Sequence, residues 1–294
     1  MTLKIIEERD KVIIENLEDF EPEHIFECGQ CFRWNKEEDG SYTGVANGKI
    51  INVKKEDGKI VFSNTNLSEF NDVWFEYFDL GRDYSEIKRE LSKDTILKKA
   101  VEYGYGIRIL KQDVWEILIS FIISANNRIP MIKRAIENLS QKYGEFIGEY
   151  NGKKYYSFPK ADTLSKLTID DIRDCKTGFR AKYIFNAAVI VSNKQMDIYR
   201  LKNLSTEEAK KELMLFAGVG PKVADCIMLF SMEKYDAFPI DVWVKRVMEY
   251  FYLKKDTKLK DIQRYAQNKF GEYAGFAQQY LFYYARENGI GARD

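Results

Sequence analysis

The sequence predicts an α+β fold, with an N-terminal antiparallel β-sheet domain followed by a multi-helix domain. Up to about Asn64, short β-branched or aromatic runs alternate with turn dipeptides, a pattern typical of hairpins. These dipeptides are Asp39-Gly40, Asn47-Gly48 and Asp57-Gly58. From about Leu67 the apolar residues recur at helical intervals instead. We therefore expect a β domain over residues 1–95 and a helical domain over residues 96–294.

Two stretches give the clearest helix signals. "DVWEILISFIISA" (Asp113–Ala125) is almost wholly apolar and opens on an aspartate cap, as a buried helix does. "MIKRAIENLSQKYG" spaces its apolar residues at helical intervals and stops at Gly144. The further candidate helices are 182–192, 206–216, 221–232, 242–252, 260–270 and 273–287.

Composition excludes several protein classes. The 294 residues suffice for two modest domains, and no run of eighteen apolar residues predicts a membrane span. The first residues are charged throughout, without an apolar signal region, and four scattered cysteines make no disulfide framework. We expect a monomer in a reducing compartment: the cytoplasm, associated with the nucleoid if the source is prokaryotic.

The charge distribution leaves two interpretations open. Formal net charge is zero, yet the chain from Lys245 to Lys269 carries an excess of basic residues. This excess could follow a phosphate backbone, with Lys245 as a DNA contact, or it could be a set of solvated helix charges.

The stretch "MLFAGVGPKVADCIMLF" (Met214–Phe230) places two glycines, a proline and a lysine between two helical runs. A nucleotide-binding P-loop is excluded, because the glycine spacing is wrong and no Ser or Thr follows Lys222. An αα-hairpin fits, with Gly218 and Gly220 at positive φ and Pro221 opening the second helix. In such a turn the backbone N–H groups around Val219 and Gly220 are suited to hold a DNA phosphate.

These residues resemble the helix–hairpin–helix of the DNA glycosylase superfamily, over about residues 206–232. "FPIDVWVKRV" is similar to the Pro-containing loop that ends in that superfamily's aspartate. Asp241 follows Lys222 by nineteen positions, the spacing of the family's catalytic pair. The resemblance implies that Lys222 and Asp241 are catalytic.

The chemistry of both residues agrees with that role. Lys222 lies in the first turn of its predicted helix among apolar residues, which favours the neutral amine that forms a Schiff base with a flipped nucleotide. Asp241 would stabilise oxocarbenium character at the sugar and also cap the helix that follows it. Schiff-base chemistry permits β-elimination of the 3′ phosphate, so we expect neither a metal nor another cofactor.

Within the superfamily the chain most resembles 8-oxoguanine DNA glycosylases. "ECGQCFRW" is similar to their lesion-reading segment, which assigns Gly29 the carbonyl that accepts the N7–H of the oxidised base. "GFAQQYLFYY" assigns Gln278 to the pairing edge of the base and Phe282 to one of its faces. Cys226, four residues after Lys222, is implied at the opposite face.

Two further segments match the family's contacts with the gap in the duplex. "ISANNRIPMIKR" implies that Asn126 fills the gap, and "TGFRAKY" implies that Phe179 wedges the stack while Arg180 contacts the orphaned cytosine. Met131 stands where eukaryotic members have a second cytosine-reading arginine. We expect a relaxed preference for the opposite base, since methionine cannot pair with a base edge.

Trp243 replaces a family histidine near the phosphates, where it would contact DNA by stacking or through its indole N–H. The expected partner is duplex DNA containing 8-oxoguanine, and no membrane is expected.

Two alternative functions are a non-catalytic helix–hairpin–helix DNA-binding module and an alkylated-base glycosylase, although enzymes of the latter kind generally lack the lysine. A purely structural or protein-interaction domain is a third alternative, which the combination of Lys222, Asp241, Gly29 and Phe282 disfavours.

Overall fold

The computed structural model describes residues 3–290, and its N-terminal part is an antiparallel sheet. The strands are β1 (Lys4–Glu8), β2 (Lys11–Glu15), β3 (Trp34–Lys36), β4 (Tyr42–Ala46), β5 (Lys49–Glu56) and β6 (Lys59–Ser63). They form one six-stranded sheet in the order β1-β2-β6-β5-β4-β3. Asn47-Gly48 and Asp57-Gly58 make the β4–β5 and β5–β6 turns with positive φ at both residues, as tight hairpins require.

One face of this sheet packs against helical turns that follow it in sequence. The alternating residues Ile60 and Phe62 are fully buried, and the Phe62 ring lies 4.9 Å from that of Phe70. Phe26, from the helix inserted between β2 and β3, stacks on Trp34 at 3.9 Å between ring centroids. The sheet therefore shares its core with a helix inserted between its strands and with helical turns that follow it.

The rest of the described chain is mainly helical, as the sequence predicts. The main α-helices are α1 (Pro22–Glu27), α2 (Tyr84–Leu91), α3 (Thr95–Tyr103), α4 (Val114–Ser124), α5 (Ile129–Tyr143), α6 (Ala181–Ser192), α7 (Thr206–Leu213), α8 (Pro221–Ser231), α9 (Val242–Val247), α10 (Leu259–Phe270) and α11 (Ala274–Glu287). Shorter helical turns cover Leu67–Glu69, Phe70–Trp74, Phe75–Tyr77, Ala161–Leu164, Ile169–Ile172, Arg173–Thr177, Gly178–Arg180, Arg200–Asn203, Met248–Leu253 and Gly271–Tyr273. None of the helices within residues 3–290 is both long and apolar enough to cross a membrane.

Helix α4 is the centre of the helical part. It is buried nearly all round, and the Asp113 carboxylate caps it by accepting the Glu116 N–H at 2.9 Å. Helix α8, the second helix of the hairpin, packs against it, with the Phe121 and Phe230 rings stacked 5.5 Å apart. This contact packs the C-terminal half of α8 against the buried, apolar helix α4.

Two features differ from the sequence-based expectations. A hairpin of β7 (Phe146–Tyr150) and β8 (Lys153–Tyr156) interrupts the helices, with its own Asn-Gly turn at Asn151-Gly152. The helix expected over 242–252 ends as an α-helix at Val247, and its last residues form a wider π-type turn. Neither difference lies in the helix–hairpin–helix, over about residues 206–232, or in the loop that leads from it to Asp241.

Candidate active site

One small pocket lies where the loop after α1 meets helices α4, α8 and α11. It brings together all six residues predicted to act in catalysis or base recognition: Gly29, Lys222, Cys226, Asp241, Gln278 and Phe282. Its volume is about 50 Å³, room for little more than water. A nucleobase can therefore enter only if a lining side chain moves.

The helix–hairpin–helix turn sets the position of Lys222. Ser205 and Glu208 form a capping box that starts α7, and Pro221 is the first residue of α8, as predicted. Gly218 has φ +86°, and a Cβ there would lie 2.7 Å from the Tyr183 ring. The turn thus needs glycine at this position for two reasons, conformation and space.

Two details predicted for this turn are wrong. Gly220 has φ −95°, an extended conformation open to any residue, because it is the N-cap of α8 rather than a second left-handed position. The Val219 N–H does not point outward but donates to the Phe216 carbonyl at 3.0 Å, which closes the turn. The donors left at this corner are the Gly220 N–H and the N–H groups that follow Pro221 in the first turn of α8, since no side chain among residues 3–290 caps this helix.

Lys222 is half-buried in the first turn of α8, and its Nζ lies 5.1 Å above the Phe121 ring. The Cys226 thiol, one turn further along the same face, is buried. Burial raises the pKa of Cys226 to about 11, an effect that the Lys222 ammonium opposes. Cys226 is therefore a neutral thiol at physiological pH, and it supplies an apolar, polarizable surface rather than a nucleophile.

Asp241 faces the same pocket from the loop before α9. Its Oδ1 accepts the Val244 N–H at 2.8 Å, which confirms the predicted cap. Burial raises the pKa of Asp241, while the Val244 N–H and the charge of Lys222 pull it back. The carboxylate is thus held in place by its own helix and has its charge turned toward the pocket.

Gly29 presents the loop after α1 to the pocket with φ +80°. The neighbouring Gln30, fully buried, fixes this loop: Nε2 donates to the Ile25 and Arg108 carbonyls at 2.9 and 2.7 Å, and Oε1 accepts the Leu110 N–H at 2.9 Å. Gln30 carries no predicted role, although it lies inside the quoted "ECGQCFRW". The contacts with Arg108 and Leu110 anchor the Gly29 loop to the chain that leads into α4, and the contact with Ile25 ties it to α1.

Helix α11 supplies the remaining wall. Gln278 and Phe282 share one face, as predicted, and a Cβ on Gly29 would lie 3.2 Å from the Phe282 ring. The guanidinium of Arg286, one turn later, lies 5.2 Å from that ring. The Phe282 ring therefore rests against the Gly29 backbone, and it must shift for a base to stack on it.

The residues predicted to enter the gap in the duplex form a second group, the Arg180 cluster (Asn126, Met131, Phe179 and Arg180). Phe179 is 56% exposed and Met131 41% exposed, as a wedge and a contact residue require. Arg180 is buried instead, and its guanidinium donates to the Ala125 carbonyl at 2.6 and 2.9 Å and to that of Asn126 at 2.8 Å. It holds Asn126 in its left-handed conformation, with φ +52°.

The two predicted contacts on α9 are also engaged with protein groups. Lys245 forms ion pairs with Glu249 at 2.7 Å and Asp256 at 2.6 Å. Trp243 is half-buried, with the Arg246 guanidinium 5.3 Å from its ring. This favours the interpretation of the basic stretch as solvated, paired helix charges.

Family comparisons agree with this geometry over most of the chain. Residues 12–118 match the model of the 8-oxoguanine DNA glycosylase N-terminal domain. Residues 119–272 match that of the HhH-GPD superfamily of base excision DNA repair proteins. The chain belongs to the HhH-GPD superfamily. The predicted family is thereby confirmed, and so is the predicted fold class of antiparallel sheet followed by helices.

Two curated HhH-GPD relatives carry similar names. The chain is 32% identical to the probable N-glycosylase/DNA lyase of Methanothermobacter thermautotrophicus over 233 residues, covering 72% of this chain and 74% of the relative. It is 30% identical to N-glycosylase/DNA lyase OGG1 of Arabidopsis thaliana over 274 residues, covering 87% and 75%.

Two solved structures show higher sequence identity than these relatives, and a third shares the fold. The 8-oxoguanine glycosylase/lyase of Clostridium acetobutylicum, in complex with duplex DNA containing cytosine opposite 8-oxoguanine, is 54% identical with a TM-score of 0.95, covering 98% of this chain and 99% of that one. Its apo form gives a TM-score of 0.93 at 53% identity, covering 97% and 100%. The 3-methyladenine DNA glycosylase of Archaeoglobus fulgidus, at 22% identity and a TM-score of 0.75 over 93% and 98%, shares the fold.

Proposed function

We propose that this HhH-GPD protein excises 8-oxoguanine from duplex DNA and cleaves the resulting abasic site, as a bifunctional glycosylase and lyase in base excision repair. The observation that carries the proposal is the convergence of Lys222 and Asp241 with Gly29 and Phe282 on one pocket. A DNA-binding module without catalysis needs the hairpin but has no use for a lysine, a carboxylate and a base-sized stacking face in one place.

Lesion recognition follows from the backbone of Gly29. Its carbonyl accepts the N7–H that 8-oxoguanine carries and that guanine lacks. Undamaged guanine would turn a lone pair toward the same buried oxygen, and a site built for one N–H rejects the base without it. Phe282 moves aside from Gly29 and stacks on one face of the base, with Cys226 at the other.

Bond cleavage then belongs to Lys222. The Lys222 ammonium first loses a proton; the amine then attacks the sugar C1′, the bond from C1′ to the base nitrogen breaks, and the departing base takes the bonding electrons and a proton. Asp241 stabilises the positive charge that develops on the sugar. Opening of the sugar ring gives a Schiff base between Nζ and C1′, loss of a C2′ proton follows, and the 3′ phosphate leaves from C3′.

The pH dependence of this reaction follows from Asp241. Burial raises its pKa, so it loses its charge at a higher pH than an exposed aspartate does. Excision by the wild type should therefore fall as the solution is acidified through that raised pKa. Asp241→Asn should be slow at every pH and should lack this acid limb.

Borohydride trapping on a duplex with a single 8-oxoguanine is the experiment that tests the proposal. Wild type should give a covalent adduct, while Lys222→Gln should give none. Lys234→Gln is the matched control, because Lys234 donates to the Leu204 carbonyl and lies outside the pocket; it should trap like wild type. Absence of an adduct on both 8-oxoguanine and abasic DNA would remove the enzymatic assignment.

Duplexes that differ only in the base opposite 8-oxoguanine measure the opposite-base preference. With cytosine, adenine, thymine or guanine opposite the lesion, Met131 offers no hydrogen bond that distinguishes the partner base. We propose comparable excision rates for the four duplexes. A steep fall from cytosine to the other three would contradict this part of the proposal.

A further inference from the structure

Gln279 is a pocket residue to which the sequence gives no role. It follows Gln278 on α11, lines the same pocket, and is 2% exposed. Its Nε2 donates to the Gln278 Oε1 at 2.8 Å. Its own Oε1 is buried and has no hydrogen-bond partner among residues 3–290.

A buried amide oxygen without a donor is unfavourable, and folded proteins rarely keep one without a use. This oxygen belongs to a residue that lines the pocket where a base is expected, so an incoming N–H donor would satisfy it. No donor among residues 3–290 does so, and the amide nitrogen of the same side chain is turned toward Gln278. The pocket thus contains a buried hydrogen-bond acceptor that is available to a ligand.

The contact between the two glutamines also fixes how Gln278 faces the base. Its amide oxygen is turned toward Gln279 and keeps one lone pair, and its amide nitrogen is left to donate. One amide therefore offers a donor for O6 of an oxidised guanine and an acceptor for the adjacent N1–H. The 2-amino group, next along that edge, needs a second acceptor.

The other side chains of the pocket do not supply that acceptor. On the proposed function, the Gly29 carbonyl is taken by N7–H on the opposite side of the base. Phe282 and Cys226 contact its faces, and Asp241 stabilises the sugar. Among the side chains that line the pocket in the described chain, Gln279 Oε1 is the buried acceptor without a partner.

Building on the proposed function, we propose that Gln279 is a specificity-determining residue that accepts a hydrogen bond from the 2-amino group of the flipped oxidised guanine. Gln278 and Gln279 together then read all three groups of the pairing edge. The pair distinguishes a purine with a 2-amino group from one without it, in addition to the N7–H test at Gly29.

The test compares three duplexes in single-turnover assays. One contains 8-oxoguanine; one contains 8-oxohypoxanthine, which keeps the N7–H, N1–H and O6 but lacks the 2-amino group; and one contains an abasic site. The variants are Gln279→Leu and the near-isosteric Gln279→Met, with Gln141→Leu, an exposed helix position, as control. Cleavage of the abasic duplex reports Lys222 chemistry and folding, because no base is read.

Wild type and Gln141→Leu should excise 8-oxoguanine faster than 8-oxohypoxanthine by about 10-fold or more, since an unpaired acceptor disfavours the analogue. In Gln279→Leu and Gln279→Met the two rates should agree within about 2-fold, with abasic cleavage unchanged. Any disturbance of Gln278 in these variants slows both bases alike, so the ratio isolates the 2-amino contact.

The inference is overturned if a variant that cleaves abasic DNA normally keeps the full preference, or if wild type shows none. Should both variants lose abasic cleavage, the wild-type ratio alone decides. If wild type cleaves abasic DNA but leaves both oxidised bases in place, the proposed substrate is wrong and this inference falls with it. Equal excision of both bases by wild type removes only the role of Gln279.

Discussion

The pocket and the Arg180 cluster use similar polar groups in opposite ways. In the pocket, Gln279 keeps an unpartnered oxygen and Gly29 turns its backbone toward the space where a base is expected. In the cluster, the Arg180 guanidinium is already bonded to the carbonyls of Ala125 and Asn126. Polar groups of the pocket are thus left free for a ligand, although Phe282 must shift to admit a base. On the proposed function, the Arg180 cluster would instead exchange its protein contacts for DNA contacts.

The largest expected effect is in the pocket, at Gly29. Gly29→Ala forces a side chain into a left-handed position, with its Cβ 3.2 Å from the Phe282 ring. Misplacing the reading loop should lower single-turnover excision of 8-oxoguanine by about 100-fold or more, while cleavage of abasic DNA is retained. Gly40→Ala is the control, because Gly40 has the same φ of +80° but no neighbour within 4 Å of the added Cβ.

The second effect is on the stability of the Arg180 cluster. Arg180→Ala leaves the Ala125 and Asn126 carbonyls without their donor, so the free energy of unfolding should fall by about 2 kcal/mol. Urea denaturation measures this, and Arg264→Ala, whose side chain is 71% exposed, should change it little. An unchanged unfolding free energy for Arg180→Ala would mean that these contacts are not structural.

The third prediction concerns how the Arg180 cluster distinguishes the base opposite the lesion, and it uses the variant Met131→Arg. An arginine at this exposed position gains the donors for an opposite cytosine, so preference for cytosine over adenine should rise by about 10-fold. Single-turnover excision from the two duplexes measures it. If the variant shows the same ratio as wild type, Met131 does not face the opposite base.

The smallest effect is expected at Lys245. Because its ammonium is paired with Glu249 and Asp256, Lys245→Ala should weaken DNA binding by less than about 2-fold. The slope of log affinity against log salt should also stay the same. A slope smaller by about one would show that Lys245 leaves its carboxylates for a phosphate.

The sequence predicts the pocket better than the details of the turn. Lys222 and Asp241 follow from the resemblance of two short segments to the DNA glycosylase superfamily, and the cap that Asp241 forms is a local property of the chain. The positive φ assigned to Gly220 fails because a helix N-cap and a left-handed turn both favour glycine, and composition does not distinguish them. The β7–β8 hairpin had its own Asn-Gly signal, but it lies among strong helix patterns.

Helical periodicity does not predict that Gln279 lines the pocket. Adjacent residues on a helix point about 100° apart, so the assignment of Gln278 to the pocket argues against its neighbour. Only the packing of α11 shows that both side chains line the pocket and that they bond to one another. Gln30 likewise becomes meaningful only once Arg108 and Leu110, far along the chain, are seen at its side chain.

The Gly29 loop and the catalytic lysine are held in place by different parts of the chain. On the proposed function, the carbonyl that reads the lesion is held by contacts between the loop after α1 and the chain at Arg108 and Leu110. The bond-breaking lysine depends on the hairpin instead. A change that loosens the Gln30 anchor would therefore lower excision of 8-oxoguanine while leaving cleavage of abasic sites intact. Damage recognition and strand cleavage could then be lost independently, by mutations in different parts of the chain.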